Sequence, residues 1–405
     1  MSATRTRPLG VAVIGAGMAG RAHIAGYRTA TTLTGGAYGE GLPPVRLVAV
    51  ADAHAPFAEA AATRYGYERA ETSWQAVAEA DDVDAVSVVV ANHLHREIVE
   101  GLLAAGKHVL CEKPLAPSVA DAEAMVAAAA ARPDLVAAVG FTFRRSPAIN
   151  ALREQVRNGH LGEVRHFNGH YWCDYAANPG APISWRYKGG PGSGALADIG
   201  SHVVDLGEFF CGPVRSVRGA VFSQVTARRP KPVGVVVGHA MSEVGTEFED
   251  VENEDLATFT ATFANGATGT FSVSRIAHGQ PNGLGFEIFA ENGAGAFDLN
   301  RTGEFTIADS TAPGVVNGYR QVLVGPAHPY VAGGLPMDFP SVGHSQNDFF
   351  TFQCRAFLNE IAGGAGTPIG DLPVVPPMAH GLHNLRVLDA VTRAAAAAGE
   401  TIPVD

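Results

Sequence analysis

Three groups of residues in this chain have the types and spacing needed to move a hydride and a proton. The first is Glu112-Lys113-Pro114, a lysine between a carboxylate and a proline. The proline biases Lys113 away from helix and makes a cis bond accessible, so the lysine occupies a specified corner. The second is Asp198 with His202, four residues apart and on one face if the segment is helical. A carboxylate beside an imidazole can orient it and raise its basicity, as a base that takes a hydroxyl proton requires. The same spacing also makes an ordinary helix salt bridge. The third is Gly15-x-Gly17-x-x-Gly20, whose backbone amides can receive a pyrophosphate where a strand turns into a helix. A dinucleotide cradle, a base and a cation that steadies a developing alkoxide are together the parts of an alcohol oxidation.

Such groups need rigid elements to hold them. Apolar stretches at 9–14, 45–51, 85–90, 108–111 and 135–139 read as buried strands, alternating with alanine-rich helical segments at 55–65, 72–80, 93–105 and 118–131. Strands apolar throughout and separated by helices imply an α/β domain of Rossmann type, a doubly wound parallel sheet. That places the glycine motif after the first strand and Lys113 just past the carboxyl end of another, where ligands gather. Beyond about residue 144 the texture changes. A helix is expected over 147–159, then strand-like alternation at 164–172, 214–225, 256–263, 267–274, 286–290 and 304–308, with turns at Asn265-Gly266 and Asn292-Gly293. This predicts an α+β domain with a mostly antiparallel open sheet, crossed by helices over 198–210 and 349–361, with a last helix over 377–398. The predicted domains are 1–143, dinucleotide-binding, and 144–405, substrate-binding and oligomerising. Segments 32–44 and 311–342 are Gly/Pro-rich and too long for ordinary connections, so they read as functional loops or insertions.

At 405 residues the chain is too long for one ordinary core. Only 17% of residues are charged and the net charge is -11, which disfavours a nucleic-acid surface. Cys111, Cys173, Cys211 and Cys354 form no CxxC or Cys/His cluster, so reduced, packed thiols are expected. No apolar run reaches the roughly 18 residues of a membrane span, and the short basic N-terminus is no signal peptide, so a cytoplasmic location follows. Asn92-His93-Leu94-His95 offers two histidines without a clear third ligand, so no metal is expected.

Asp52, at the end of the second strand, can accept hydrogen bonds from an adenosine ribose and repel a 2'-phosphate, and Ala53 supplies no compensating cation. NAD is therefore expected over NADP. Asp52 lies further beyond Gly20 than the usual spacing of about 20 residues, and segment 32–44 accounts for the excess. The residues expected to line the cofactor are Gly15, Gly17, Met18, Ala19, Asp52, Ala91, Asn92, His95, Glu112, Lys113 and Arg186, although Asn92 also fits a helix N-cap and Glu112 a counter-ion. Trp172, Asp174, Trp185 and Arg186 form an aromatic and polar cluster suited to stacking and hydrogen-bonding a sugar, beside Lys113, Asp198 and His202. Core tryptophans next to a wet sheet edge have the same composition.

Taken together, Gly15-Ala-Gly-Met-Ala-Gly20, Asn92-His-Leu-His95, Gly106-Lys-His-Val-Leu-Cys-Glu-Lys-Pro114 and Gly194-Ala-Leu-Ala-Asp-Ile-Gly-Ser-His-Val-Val-Asp205 resemble the glucose-fructose oxidoreductase/inositol dehydrogenase (Gfo/Idh/MocA) family over nearly the whole chain. Ile183-Ser-Trp-Arg186, Ala277-His-Gly279 and Gly325-Pro-Ala-His-Pro-Tyr330 look most like its levoglucosan dehydrogenase branch. The resemblance implies that Lys113 contacts nicotinamide and substrate, that Asp198 and His202 hold and deprotonate the reacting hydroxyl, and that the cofactor runs past 90–95. Ala91 departs from the family's usual proline, and Thr142 from the asparagine expected in that branch. The implied activity is NAD-dependent oxidation of a ring secondary hydroxyl of a neutral sugar, anhydrosugar or cyclic polyol to a ketone. An NAD-recycling glycosidase and a non-catalytic sugar-sensing regulator share these motifs. Too few helices are expected to cover both faces of the second sheet, which points to a homodimer or homotetramer.

Overall fold

The computed structural model describes residues 7–405 except 40, 235–241, 311–313, 315, 316, 333, 334, 338 and 340. The first unit is a six-stranded parallel sheet in the order β3-β2-β1-β4-β5-β6. Its strands are β1 (Leu9–Ile14), β2 (Val45–Ala51), β3 (Arg69–Glu71), β4 (Ala85–Val88), β5 (His108–Glu112) and β6 (Ala137–Gly140), and its connecting helices are α1 (Met18–Ala30), α2 (Ala55–Tyr65), α3 (Trp74–Glu79), α4 (His95–Ala104) and α5 (Val119–Ala130). Every residue of β1 and β4 is buried, as strands covered on both faces require.

The second unit is a nine-stranded mixed sheet. After α6 (Pro147–Arg157) come β7 (Val164–Trp172), α7 (Ser201–Cys211), β8 (Val214–Ser223), a separate two-stranded arm of β9 (Arg228–Pro232) and β10 (Val244–Asp250), then β11 (Leu256–Phe263), β12 (Thr268–Ser274), β13 (Gly283–Ala290), β14 (Gly293–Asp298), β15 (Glu304–Asp309) and β16 (Arg320–Leu323). The order is β16-β15-β14-β13-β7-β12-β11-β8-β17, where β17 is Ile402–Pro403. Pairing is antiparallel throughout except for β12 on β7. Strict burial alternation along β11 shows one dry and one wet face.

The chain does not divide once near 143/144. The first unit comprises residues 1–147 and 325–382, and the second 148–324 and 383–405. The helix expected to cross the second sheet, α8 (Gln346–Gly363), instead packs on α1: Gly26 has no side chain, and a Cβ there would lie 3.2 Å from the Phe350 backbone and from Cys354 Sγ. The returning segment adds an edge to the parallel sheet, where Val139 N–H donates to the Pro376 carbonyl at 2.9 Å, and α9 (Met378–Ala396) carries the chain back into the second unit.

Segment 32–44 is a packed insertion. Leu33 and Tyr38 are buried in the first core, Tyr38 donates to the Tyr330 carbonyl at 2.9 Å, and the buried Arg355 guanidinium donates to the carbonyls of Leu33 and Tyr38. Part of segment 311–342 lies outside the described residues; among those described, Tyr330 is fully buried and stacks on Phe352 at 4.7 Å. No helix among the described residues is long and apolar enough to cross a membrane, and all four cysteines are buried and unbridged.

Candidate active site

The glycine motif joins β1 to α1, and its three glycines have different reasons to be glycine. Gly15 adopts φ +102° and a Cβ there would lie 2.1 Å from the Val89 carbonyl oxygen; a Cβ on Gly20 would lie 1.9 Å from the Gly15 carbonyl. Both are forced by the fold. Gly17 is not: a Cβ there meets nothing within 4 Å. It stands at the N-cap of the thirteen-residue α1, which no side chain caps. Open space before uncapped helix amides fits a pyrophosphate. Met18, exposed, and Ala19 form the first turn beside it. Asp52 accepts from Ala16 N–H and His54 N–H, both at 2.8 Å, fixing the carboxylate at the end of β2 against the glycine loop. Each oxygen retains a second lone pair for a ribose hydroxyl.

Two expected cofactor residues serve the scaffold instead. His95 is buried at the start of α4, with Nδ1 3.1 Å from the Leu115 carbonyl and Nε2 3.1 Å from the Val90 carbonyl. Burial holds its pKa below the ordinary histidine value. It is a strut between the loops after β4 and β5, and its ring does not face a ligand space. Ala91 is the N-cap of a short 3-10 turn, Asn92–Leu94, and Leu94 is the N-cap of α4, so Asn92 caps neither. Glu112 is likewise turned inward: one carboxylate oxygen lies 2.9 Å from His23 Nε2 and the other accepts from Lys113 N–H at 3.2 Å. Lys113 itself, half-buried, precedes the cis peptide to Pro114 at the end of β5. Thr142 donates to Gln353 at 3.1 Å and is buried.

In the second unit, Asp198 lies in a π-helical turn, Leu196–Gly200, that runs into α7 and brings His202 onto the first turn of that helix. Such widened turns recur at functional sites. Tyr175 donates to Asp198 at 2.7 Å, and His202 lies 6.0 Å from the Tyr171 ring. Burial, then the neighbouring Asp198, push the Tyr175 hydroxyl well above its ordinary pKa, so it stays a neutral donor.

Three consecutive polar residues preceding β11 brace this region, and Glu254 among them bonds the turn itself. Asn253 donates to the carbonyls of Arg186 and Lys188 at 3.0 and 3.1 Å. Glu254 accepts from Leu196 N–H at 2.9 Å and Gly192 N–H at 2.7 Å, and burial raises its pKa. Asp255 pairs with Arg275 at 2.8 Å, both side chains about 1% exposed or less. Arg275 and Arg229 lie over the Tyr187 ring at 4.6 and 4.4 Å. Gly194 permits this closeness, since a Cβ there would be 2.3 Å from the Glu254 carbonyl.

The expected aromatic cluster does not assemble as one. From Phe167 onward the odd residues of β7 are buried and the even ones are partly exposed. Tyr171 therefore shares the covered face with His202, while Trp172 lies on the other face, stacked on His170 at 3.9 Å and bonded to Ser272 at 3.1 Å. Trp172 with Asn168, His170, Asp298 and Arg301 lines a cavity of about 450 Å³ on that uncovered face. Trp185 is 45% exposed with the Arg186 guanidinium over it at 4.4 Å, and Asp174 is half-buried in the loop leading to Tyr175. Lys113 and the glycine loop belong to the first unit, and Asp198, His202, Asp174, Trp185 and Arg186 to the second. Sequence reasoning missed Tyr171, Tyr175, Glu254 and the Asp255–Arg275 pair. Alternation in β7 would have separated Tyr171 from Trp172; the others carry no local pattern.

Among known proteins, residues 9–141 match the model of an oxidoreductase family with an NAD-binding Rossmann fold, and residues 149–295 that of the GFO/IDH/MocA C-terminal domain. Levoglucosan dehydrogenase of Pseudarthrobacter phenanthrenivorans is 33% identical over 392 residues, covering 96% of each chain. The structure of a levoglucosan dehydrogenase complexed with NADH and levoglucosan superposes with a TM-score of 0.86 at 30% identity, over 98% of this chain and 100% of that one. An oxidoreductase domain protein from Kribbella flavida gives 0.86 at 36% identity, over 99% and 100%. The chain belongs to the GFO/IDH/MocA family and is an NAD-dependent oxidoreductase.

Proposed function

We propose that this enzyme oxidises a ring secondary hydroxyl of a neutral sugar, anhydrosugar or cyclic polyol to a ketone. The observation that carries the proposal is the Asp198 carboxylate, held by Tyr175 in a π-helical turn that delivers His202 one turn later. His202 takes the hydroxyl proton as general base. Asp198 receives hydrogen bonds from substrate hydroxyls and orients the imidazole, and Tyr175 fixes its direction. Lys113 steadies the negative charge that grows on the alcohol oxygen. Bound NAD, cradled by Gly15, Gly17, Met18, Ala19 and Asp52, supplies the hydride acceptor. Trp185 and Arg186 present a partly exposed stacked surface suited to a sugar ring.

Neutral substrates fit the available charges. Arg145, a residue that could have clamped an anion, is buried, bonded to Tyr330 and to the carbonyls of Pro373 and Val374, and Arg144 bonds His380 at 2.8 Å. The net charge of -11 offers no attractive field for acids or phosphates. Levoglucosan, inositols and pyranosides are the first compounds to assay for NADH formation, beside matched sugar acids and sugar phosphates. The neutral compounds should lead by at least about tenfold in kcat/KM, the cost of one misplaced charge. A comparable lead for the acids or phosphates would overturn the reading. Self-association through the uncovered sheet face is part of the same proposal: Phe289 and Leu323 are exposed at 38% and 53%. Light scattering of the purified chain should then give a dimer or tetramer mass, and a monomer would contradict it.

A further inference from the structure

A buried chain of polar groups runs behind Lys113, entirely within the first unit. The Tyr27 hydroxyl lies 2.7 Å from Ser87 Oγ, Ser87 Oγ lies 3.1 Å from His23 Nδ1, and His23 Nε2 lies 2.9 Å from Glu112 Oε1. The other Glu112 oxygen accepts from Lys113 N–H at 3.2 Å. Tyr27, Ser87 and His23 are fully buried and Glu112 is 8% exposed. Serine, histidine and carboxylate in this order have the connectivity of a hydrolytic triad, but a hydroxyl with no access to solvent cannot attack a substrate. The chain is a support. An ionised carboxylate only accepts, so with Glu112 ionised the hydrogen of this contact is donated by His23 Nε2. Space for the carboxylate is made by Gly140 at the end of β6, where a Cβ would lie 2.6 Å from Glu112 Oε1 and 3.1 Å from the Gln353 amide.

We propose that His23, through its Nε2–H bond to Glu112, is a positioning residue for Lys113: it fixes the carboxylate that holds the Lys113 backbone and so sets where the lysine side chain starts. Four separate elements, α1, β4, β5 and β6, converge on this one carboxylate or its partners, although it could have faced solvent more cheaply. The inference rests on the role proposed above for Lys113.

The test measures kcat with the best sugar of the panel, NADH affinity by fluorescence, and Tm, for the full-length chain and four variants. His23→Leu removes the donor, and His23→Gln restores a donor to the carboxylate. Gly140→Ala displaces the carboxylate directly, and Lys113→Ala removes the supported group. A misplacement of the order of an ångström costs up to about a hundredfold. His23→Leu should therefore lower kcat roughly ten- to a hundredfold with NADH affinity within about threefold of the parent, and His23→Gln should recover most of it. If His23→Leu does not fold, Gly140→Ala must show the same split between kcat and affinity. A folded His23→Leu, or in its place Gly140→Ala, that keeps kcat within about twofold while Lys113→Ala loses it would overturn the inference alone. Equal kcat for His23→Leu and His23→Gln would also overturn it. Retained kcat in Lys113→Ala would remove the reading beneath it.

Discussion

The glycine loop of the nucleotide-binding unit offers backbone amides and the absence of side chains, whereas the π-turn of the second unit offers side chains, with Asp198 bonded by Tyr175. Gly15 and Gly20 are glycine because a Cβ would strike a carbonyl; Gly17 is glycine where the fold itself makes no such demand. Asp198, by contrast, is bonded by Tyr175, and its turn by Glu254, with Asn253 and the Asp255–Arg275 pair bracing the neighbouring 186–188 segment, none of them adjacent to Asp198 in sequence. A cradle built from backbone is written into a short motif. A turn whose side chains rest on a polar underlayer is written across a hundred residues.

The largest effect should come from attacking that underlayer. Asp255→Ala leaves the buried Arg275 charge without its carboxylate, with Asn253 Oδ1 and the Arg186 carbonyl left to accept from it, and should destabilise the second unit by about 3–5 kcal/mol in denaturant unfolding, with activity lost alongside. A loss below about 1 kcal/mol would mean the pair is not what holds this part of the second unit together. The matching attack on the cradle should separate ligand from fold. Gly17→Val meets no protein atom near its Cβ, so Tm should stay within a few degrees while NADH affinity falls about tenfold or more. Unchanged affinity would show that the open space at the N-terminus of α1 is not used.

Smaller effects sharpen the contrast. Asp52 sits in the first unit but acts through its side chain, and kcat/KM should favour NAD over NADP by at least about tenfold, or about 1.4 kcal/mol. Asp52→Ser with Ala53→Arg should shift that preference toward NADP, and a parent enzyme that used both equally would refute the role of the carboxylate. Tyr175→Phe deletes one hydrogen bond to Asp198 and should cost about 1 kcal/mol of transition-state stabilisation, roughly fivefold in kcat, with no change in NADH affinity. A change in affinity without one in kcat would place Tyr175 elsewhere in the cycle.

The same contrast explains what the sequence made legible. Continuous apolar runs gave five of the parallel strands, and their order along the chain gave the Rossmann-type unit, because a strand buried on both faces needs no context to be read. β14 was missed: its Gly293-Ala-Gly-Ala run has no strand signature, and Gly295 is there because a Cβ would lie 2.4 Å from Leu152 of α6. α8 was placed as a helix but in the wrong unit, since periodicity says that a helix buries a face without saying against what. His95 and Glu112 were read as facing the cofactor; His95, at the start of α4, meets two carbonyls and Glu112, at the end of β5, a buried histidine, because spacing along the chain does not say which way a polar side chain turns. Trp172 was a phase error, correctable by setting Phe167 and Tyr171 on the covered face.

The division of labour between the units is tested most directly by kcat for His202→Ala with the best neutral sugar, measured with NADH affinity on the same folded preparation. Loss of a general base should lower kcat by about 10² to 10⁴ and leave NADH binding intact, since the cradle is backbone in the other unit. A folded His202→Ala enzyme with near-normal kcat would contradict the assignment of proton transfer to the π-turn site.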